Sequence, residues 1–207
     1  PADMHKGAAG RLLVVAGSVG MTGAAALCAL AAMRSGAGLV FLACPRSLND
    51  ILEVKCTEVL TRPLPETVDR SLALEAEAEL LAQAAEVDAV VLGPGVSQHP
   101  ETAELVRRLA RALPVPTVID ADGLNAFAGR AEELADRPAP TILTPHPGEM
   151  SRLTGQSIAE ISADRPAAAR ELAAHTGAVV VLKGAGTVTC APEGEMWVNP
   201  TGNQALA

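Results

Sequence analysis

Short apolar runs that stop abruptly at glycine, aspartate or a proline cluster recur along this chain, and they limit its fold more than any other feature. Leu12–Ala16 runs into Gly17, and Ala89–Leu92 into Gly93-Pro94-Gly95. Thr117–Ile119 meets Asp120, and Thr141–Leu143 meets Thr144-Pro145-His146-Pro147. Ala178–Leu182 runs into Lys183-Gly184-Ala185-Gly186-Thr187. Short runs rich in β-branched residues read as strands buried on both faces of a parallel sheet; Gly38–Ala43 reads as a further strand. Stretches of helical length lie between them, at Thr22–Ser35, Leu72–Ala85 and Pro100–Leu113. This alternation predicts repeated βα units and hence an α/β fold, with the polar break points gathered along one sheet edge. Open α/β sheets place their ligands at that edge.

Composition narrows what those ligands are. At 207 residues the chain fits one domain with an ample core. A formal net charge of −8 argues against a nucleic-acid or anionic-membrane surface. Aromatic residues make up 1%, so no platform for base stacking is available. An anionic ligand must therefore be held by local amides and a few cations. No apolar run is long enough to span a bilayer, and no signal peptide is visible. Cys28, Cys44, Cys56 and Cys190 lack CxxC spacing and read as buried, reduced thiols of a cytoplasmic protein. The chain opens at Pro1 without methionine and stops at Ala207 without a closing helix, so further polypeptide is expected at both ends.

Four break points carry candidate chemistry. Lys183 stands at the end of its strand, and the glycines after it can turn the backbone and expose N–H groups to an anion. Gly17-Ser18-Val19-Gly20-Met21-Thr22-Gly23 precedes a helix for which Thr22 is a plausible N-cap. The turn matches neither GxGxxG nor GxxxxGK[ST]. Its small Gly23 and Ala24 serve either ligand approach at a helix N-terminus or tight helix–sheet packing. Asp120, at a strand end, suits Mg²⁺ or a substrate hydroxyl, whereas Asp122 reads as a cap and Asn125 serves either as a cap or at the site. In Thr144–Glu149, two prolines hold His146 extended and Pro147 suits the first turn of a helix. That turn would offer free amides at Gly148 and Glu149, and Glu149 could order water around Mg²⁺.

Taken in order, DMHKGAAG, AGSVGMTGAAALCALAAMRSGAGLV, GPGV, DADGLN, TPHPGEMSRLTG, VVVLKGAGT and NPTGN resemble the NAD(P)H-hydrate dehydratase family, the YjeF carboxy-terminal domain of the ribokinase-like superfamily. The resemblance spans essentially the whole chain and rests on the order and spacing of the motifs. It implies a three-layer α/β/α fold with a mostly parallel sheet, a homotetramer, and dehydration of the S-form of hydrated NADH or NADPH at the expense of ADP or ATP with Mg²⁺. By the same resemblance Lys183, Gly184, Ala185, Gly186 and Thr187 match the adenine-nucleotide loop. His146 matches a residue touching the hydrated dinucleotide, and Ala24 and Gly95 match other substrate-contacting positions. Gly23, Asp120 and Asn125 join the expected substrate side on their own placement, not as family matches. Glu149 matches a carboxylate organising Mg²⁺ and phosphate.

One expected element is missing. The family's GGxGD motif, with its catalytic aspartate, is expected just after Leu206-Ala207, so the catalytic residue itself is unassigned. Two other readings stand beside the dehydratase: a vitamin-precursor kinase of the same superfamily, and a nucleotide-binding module without activity.

Overall fold

The computed structural model describes residues 9–135 and 137–201. The lead-in Asp3–Gly7 and the end of NPTGN, Gly202-Asn203, lie outside the described residues. In chain order the elements are β1 (Arg11–Val15), α1 (Thr22–Arg34), β2 (Leu39–Pro45), α2 (Asn49–Lys55), β3 (Leu60–Leu64), α3 (Glu77–Ala84), β4 (Ala89–Leu92), α4 (Pro100–Ala112) and β5 (Thr117–Ile119). There follow α5 (Asp122–Asn125), β6 (Thr141–Leu143), α6 (Pro147–Thr154), α7 (Ile158–Ala163), α8 (Arg165–Thr176), β7 (Val179–Leu182), β8 (Val188–Cys190) and β9 (Met196–Val198).

The strands form one sheet in the order β3-β2-β1-β4-β5-β6-β7-β8-β9. From β3 to β7 all neighbours are parallel; β8 and β9 close the sheet antiparallel. The chain first builds outward from β1 to β2 and β3, then returns to place β4 on the other side of β1. The strand order therefore reverses between β1 and β4, the switch point at which open α/β sheets place their ligands. Both loops there are glycine turns, tied to each other by Gly17 N–H to Pro94 O (3.0 Å) and Ser18 Oγ to Gly95 O (2.8 Å).

The period-two alternation of β1 feeds two cores. Leu13 and Val15 join α3, α4, α6 and α8 on one face; Val14 and Ala16 join α1 and α2 on the other. The first layer runs the length of the sheet, whereas α1 and α2 cover only the β1–β3 end. In consequence β1 is buried on both faces as expected, whereas the runs of β4 to β7 are fully buried on one only. Val90, Ile119, Leu143 and Val180 are inaccessible, while the register row Val91–Val118–Ile142–Val179 faces outward, with Ile142 38% exposed. The third layer implied by the resemblance is thus partial among the described residues.

Three local expectations are corrected. Thr22 is the first residue of α1 rather than its cap; Met21 precedes the helix without a side-chain cap, and Thr22 Oγ1 instead accepts from Lys55 Nζ at 2.9 Å. The helix expected over Leu72–Ala85 begins as a 3-10 turn at Leu74–Ala76 and becomes α-helical at Glu77. Asp122 caps no amide of α5; its carboxylate accepts from Ser97 N–H (3.1 Å) and Asn125 Nδ2 (3.1 Å), fastening the loop after β4 to the loop after β5. All four cysteines are free thiols, with Cys28 half-buried and the rest buried.

Candidate functional site

The carboxyl ends of β1, β4, β5, β6 and β7 meet at a cleft of about 630 Å³. Met21, Ala24, Leu27 and Cys28 form its α1 wall, and Val91 and Val118 form its floor on the uncovered sheet face. Gly95, Asp120, Thr144 and Lys183 line its rim. Gly95 has to be glycine: an added Cβ would stand 2.8 Å from Met21 Cβ and 3.1 Å from Ala24 Cβ, on backbone of φ +64°. Of the residues singled out in the sequence, Ala24, Gly95, Asp120 and Lys183 therefore share one lining. Gly23, Asn125, His146, Glu149 and residues 184–187 lie outside it. Asn125 is engaged elsewhere: its Nδ2 donates to Asp122 and its Oδ1 accepts from Arg152 Nε at 2.8 Å.

Lys183 is the hub of the edge. Its Nζ lies 2.7 Å from Asp120 Oδ1 and 3.7 Å from Glu149 Oε2, and its backbone N–H donates to Pro145 O at 2.8 Å. Asp120 Oδ1 also accepts from Thr144 Oγ1 at 2.7 Å. At 40% and 30% side-chain exposure the Lys183–Asp120 pair adds little to stability, but it neutralises the lysine where a ligand would meet it. No group of three His, Cys, Asp or Glu able to hold a metal ion occurs among the described residues. The two carboxylates facing the hub already share the ammonium.

The stretch after β6 is a closed capping box. His146 holds the N-cap position of α6 with extended backbone (φ −82°, ψ 168°). Its Nδ1 accepts from Gly148 N–H at 3.0 Å and Glu149 N–H at 3.2 Å, while Glu149 Oε2 accepts from His146 N–H at 2.8 Å. Such reciprocal capping satisfies the otherwise unpaired donors of a first helical turn. The amides expected to be free for an anion are therefore occupied by the histidine itself. With Nδ1 accepting, a neutral ring carries its proton on Nε2. Nε2 stands 3.4 Å from Glu149 Oε1, and the ring is half exposed. Glu149 is 5% exposed.

The loop after β7 is built in the opposite manner. Gly184 (φ +143°) and Gly186 (φ +65°) turn it, and Thr187 Oγ1 ties it by donating to Gly184 O (2.9 Å) and accepting from Gly184 N–H (3.3 Å). The N–H groups of Ala185 and Gly186 make no hydrogen bond among the described residues. Arg165, the first residue of α8, lies behind the loop and donates to the carbonyls of Leu182 and Lys183. Sequence reasoning missed it, because 18 residues separate it from Lys183 and no local pattern joins them.

Cys28 in the cleft wall is not a nucleophile. Burial, with a smaller contribution from the Asp120 charge, pushes its thiol up to about 11, so it stays protonated near neutrality.

A family model for NAD(P)H-hydrate dehydratase matches residues 12–207. The chain belongs to the NAD(P)H-hydrate dehydratase family. It is 48% identical over 206 residues to the bifunctional NAD(P)H-hydrate repair enzyme Nnr of Moorella thermoacetica, covering 100% of this chain and 39% of that protein. It is 38% identical over 206 residues to the ADP-dependent (S)-NAD(P)H-hydrate dehydratase of Bacillus subtilis, covering 100% of this chain and 69% of that protein. The crystal structure of the Bacillus subtilis ADP/ATP-dependent enzyme, co-crystallized with ATP and Mg²⁺, matches with a TM-score of 0.80 and 35% identity over 100% of this chain and 69% of that one. A ribokinase-like superfamily protein of Enterococcus faecalis shares the fold with a TM-score of 0.79 at 22% identity, covering 99% of this chain and 67% of that one. The family chain described here thus spans well under half the length of its bifunctional Moorella relative and about two thirds of the Bacillus dehydratase.

Proposed function

We propose that this chain takes part in the ADP-dependent dehydration of the S-hydrate of NADH or NADPH, with the adenine nucleotide on the Lys183–Thr187 loop and the hydrated dinucleotide in the cleft beside His146. The observation that carries this reading is that one sheet edge, in a chain of this family, offers two sites of different chemistry side by side. The loop has unengaged amides fit for an anion. The cleft is largely apolar with a polar rim, as suits a nicotinamide ring.

The chemistry asks for positioning and charge neutralisation. The hydroxyl of a hydrated ring is a poor leaving group. Transfer of the terminal phosphoryl group of ADP to that oxygen releases AMP and makes a phosphate ester. The ring nitrogen lone pair then expels phosphate as the C–O bond breaks and the adjacent carbon loses a proton, restoring the dinucleotide. Phosphoryl transfer of this type needs alignment and electrostatic stabilisation rather than a covalent nucleophile. The amides of Ala185 and Gly186 would hold phosphate oxygens. Asp120, Thr144 and Lys183 would orient the hydroxyl side of the cleft, and the Nε2 of His146 would donate to the dinucleotide. Mg²⁺ on the phosphates would supply charge neutralisation, and Glu149 and Asp120 would be the carboxylates to hold it through water. We assign no general base within residues 1–207.

An optical assay of the full-length protein tests the reading. Hydrated NADH plus ADP should regain the absorbance of reduced nicotinamide, and AMP should accumulate in equal amount. No recovery, with ADP-dependent phosphorylation of a hydroxyethylthiazole- or pyridoxal-type alcohol instead, would make the protein a small-molecule kinase.

A further inference from the structure

We propose that Arg165 is the positioning residue of the Lys183–Thr187 loop, and that it, rather than Lys183, supplies the loop's positive field. The role deepens the nucleotide assignment above and rests on it for the identity of the ligand, but not for the geometry.

Arg165 Nη2 donates to two successive carbonyls, Leu182 O at 2.8 Å and Lys183 O at 3.0 Å. In a trans peptide the C=O and N–H point opposite ways. Holding Lys183 O against the guanidinium therefore turns the Gly184 N–H toward the loop interior, where Thr187 Oγ1 accepts it. Two fixed peptide planes set where the following amides, those of Ala185 and Gly186, can point. The planar guanidinium suits this task because two carbonyls can share one rigid donor group, which an ammonium on a flexible stem does not reproduce.

Gly184 makes room for this clamp. A Cβ there would lie 2.6 Å from Arg165 Nη1 and 3.0 Å from Nη2, so the guanidinium occupies the space a side chain would take. Its φ of +143° forbids most side chains independently.

The charges point the same way. Lys183 faces two carboxylates, Asp120 at 2.7 Å and Glu149 at 3.7 Å. Arg165 forms no ion pair among the described residues, and its Nε is buried without a hydrogen-bond partner. A guanidinium remains charged at all physiological pH. The uncompensated cation behind the loop is therefore the arginine, while the lysine in front of it is neutralised.

The test uses the full-length protein and three variants, Arg165→Gln, Arg165→Lys and Lys183→Ala. Calorimetric ADP titration should show Arg165→Gln binding about ten- to a hundredfold more weakly, the loss expected for removing hydrogen bonds from a charged donor. Arg165→Lys should recover only part, and Lys183→Ala should stay within about fivefold of the parent. The KM for hydrated dinucleotide should be unchanged in both Arg165 variants, which a general loss of folding would not allow. Gly184→Ala combined with Arg165→Gln should be no worse than Gly184→Ala alone, because the methyl group already displaces the guanidinium. Wild-type ADP affinity in Arg165→Gln, or a larger loss in Lys183→Ala, would overturn the proposal. Should the parent itself bind no ADP, the nucleotide assignment fails; the clamp is then read without ligand from the Lys183 and Gly184 amides. Their hydrogen exchange should be about tenfold or more faster in Arg165→Gln, and unchanged exchange would refute the clamp as well.

Discussion

After β6 the chain makes a shelf whose polar groups engage one another; after β7 it makes a loop whose amides are left over. The two are joined by the Lys183 N–H to Pro145 O bond, so they share a scaffold and differ in chemistry. On the shelf, His146 and Glu149 close a box around the first turn of α6, and the remaining imidazole nitrogen, Nε2, stands 3.4 Å from Glu149 Oε1 on a half-exposed ring. On the loop, side-chain support comes from Thr187 within and Arg165 behind, and the Ala185 and Gly186 amides remain available. A rigid surface with one donor suits orientation of a ring substrate, whereas a glycine turn with several donors suits an anion. A strand end thus becomes one or the other according to whether its side chains take up all the nearby amides or leave some, as Ala185 and Gly186 are left.

The comparison breaks most visibly at Gly186. Gly186→Val should weaken ADP binding by about 30- to 150-fold, because a β-branched residue at φ +65° costs roughly 2–3 kcal/mol or forces the loop to refold. Dinucleotide KM should not move. An added Cβ meets only Val198 Cγ1, at 3.9 Å, so the effect reports backbone conformation and ligand access rather than a clash within the protein. Isothermal titration of the variant with ADP checks this.

His146 sharpens the comparison from the other side. His146→Ala removes both the cap and the Nε2 donor, so it should lower stability by about 1 kcal/mol and raise the dinucleotide KM about five- to tenfold. Only Nε2 is not taken up by the backbone amides, and it already lies near Glu149 Oε1, hence the modest kinetic effect. His146→Ser should regain the stability through its hydroxyl cap but not the KM. Thermal melts and steady-state kinetics on the pair separate the two roles. Lys183→Ala gives the smallest expected change, a few-fold loss of ADP affinity, because Asp120 already balances the charge.

Much of this edge was legible in the sequence where a short apolar run met an abrupt polar stop. β4, β5 and β6 have the expected residues, and Asp120, Thr144 and Lys183 fall at strand ends as expected. What escaped depends on partners distant in the chain. β3, LTRPL, is polar and contains Pro63, tolerable because the strand lies at the sheet edge, and no apolar run announced it. β8 and β9 are three residues each, stabilised by pairing back onto β7 rather than by their own composition. Asp122 looked like a cap because aspartate before a short helix usually is one, yet Ser97, 25 residues away, recruits it. The sequence pattern Pro-His-Pro-Gly-Glu signalled a helix start, but only the ring's orientation reveals that His146 occupies the amides expected to be free.

The division of ligands between shelf and loop is tested most directly by a crossed kinetic measurement on the full-length protein, with the KM of ADP and of hydrated NADH each determined in His146→Ala and in Gly186→Val. The account predicts two separate losses: His146→Ala raises only the dinucleotide KM, and Gly186→Val raises only the ADP KM. A His146→Ala enzyme with intact dinucleotide KM and a large loss for ADP would contradict it, placing the histidine on the nucleotide side of the cleft and dissolving the assignment of one ligand to each strand end.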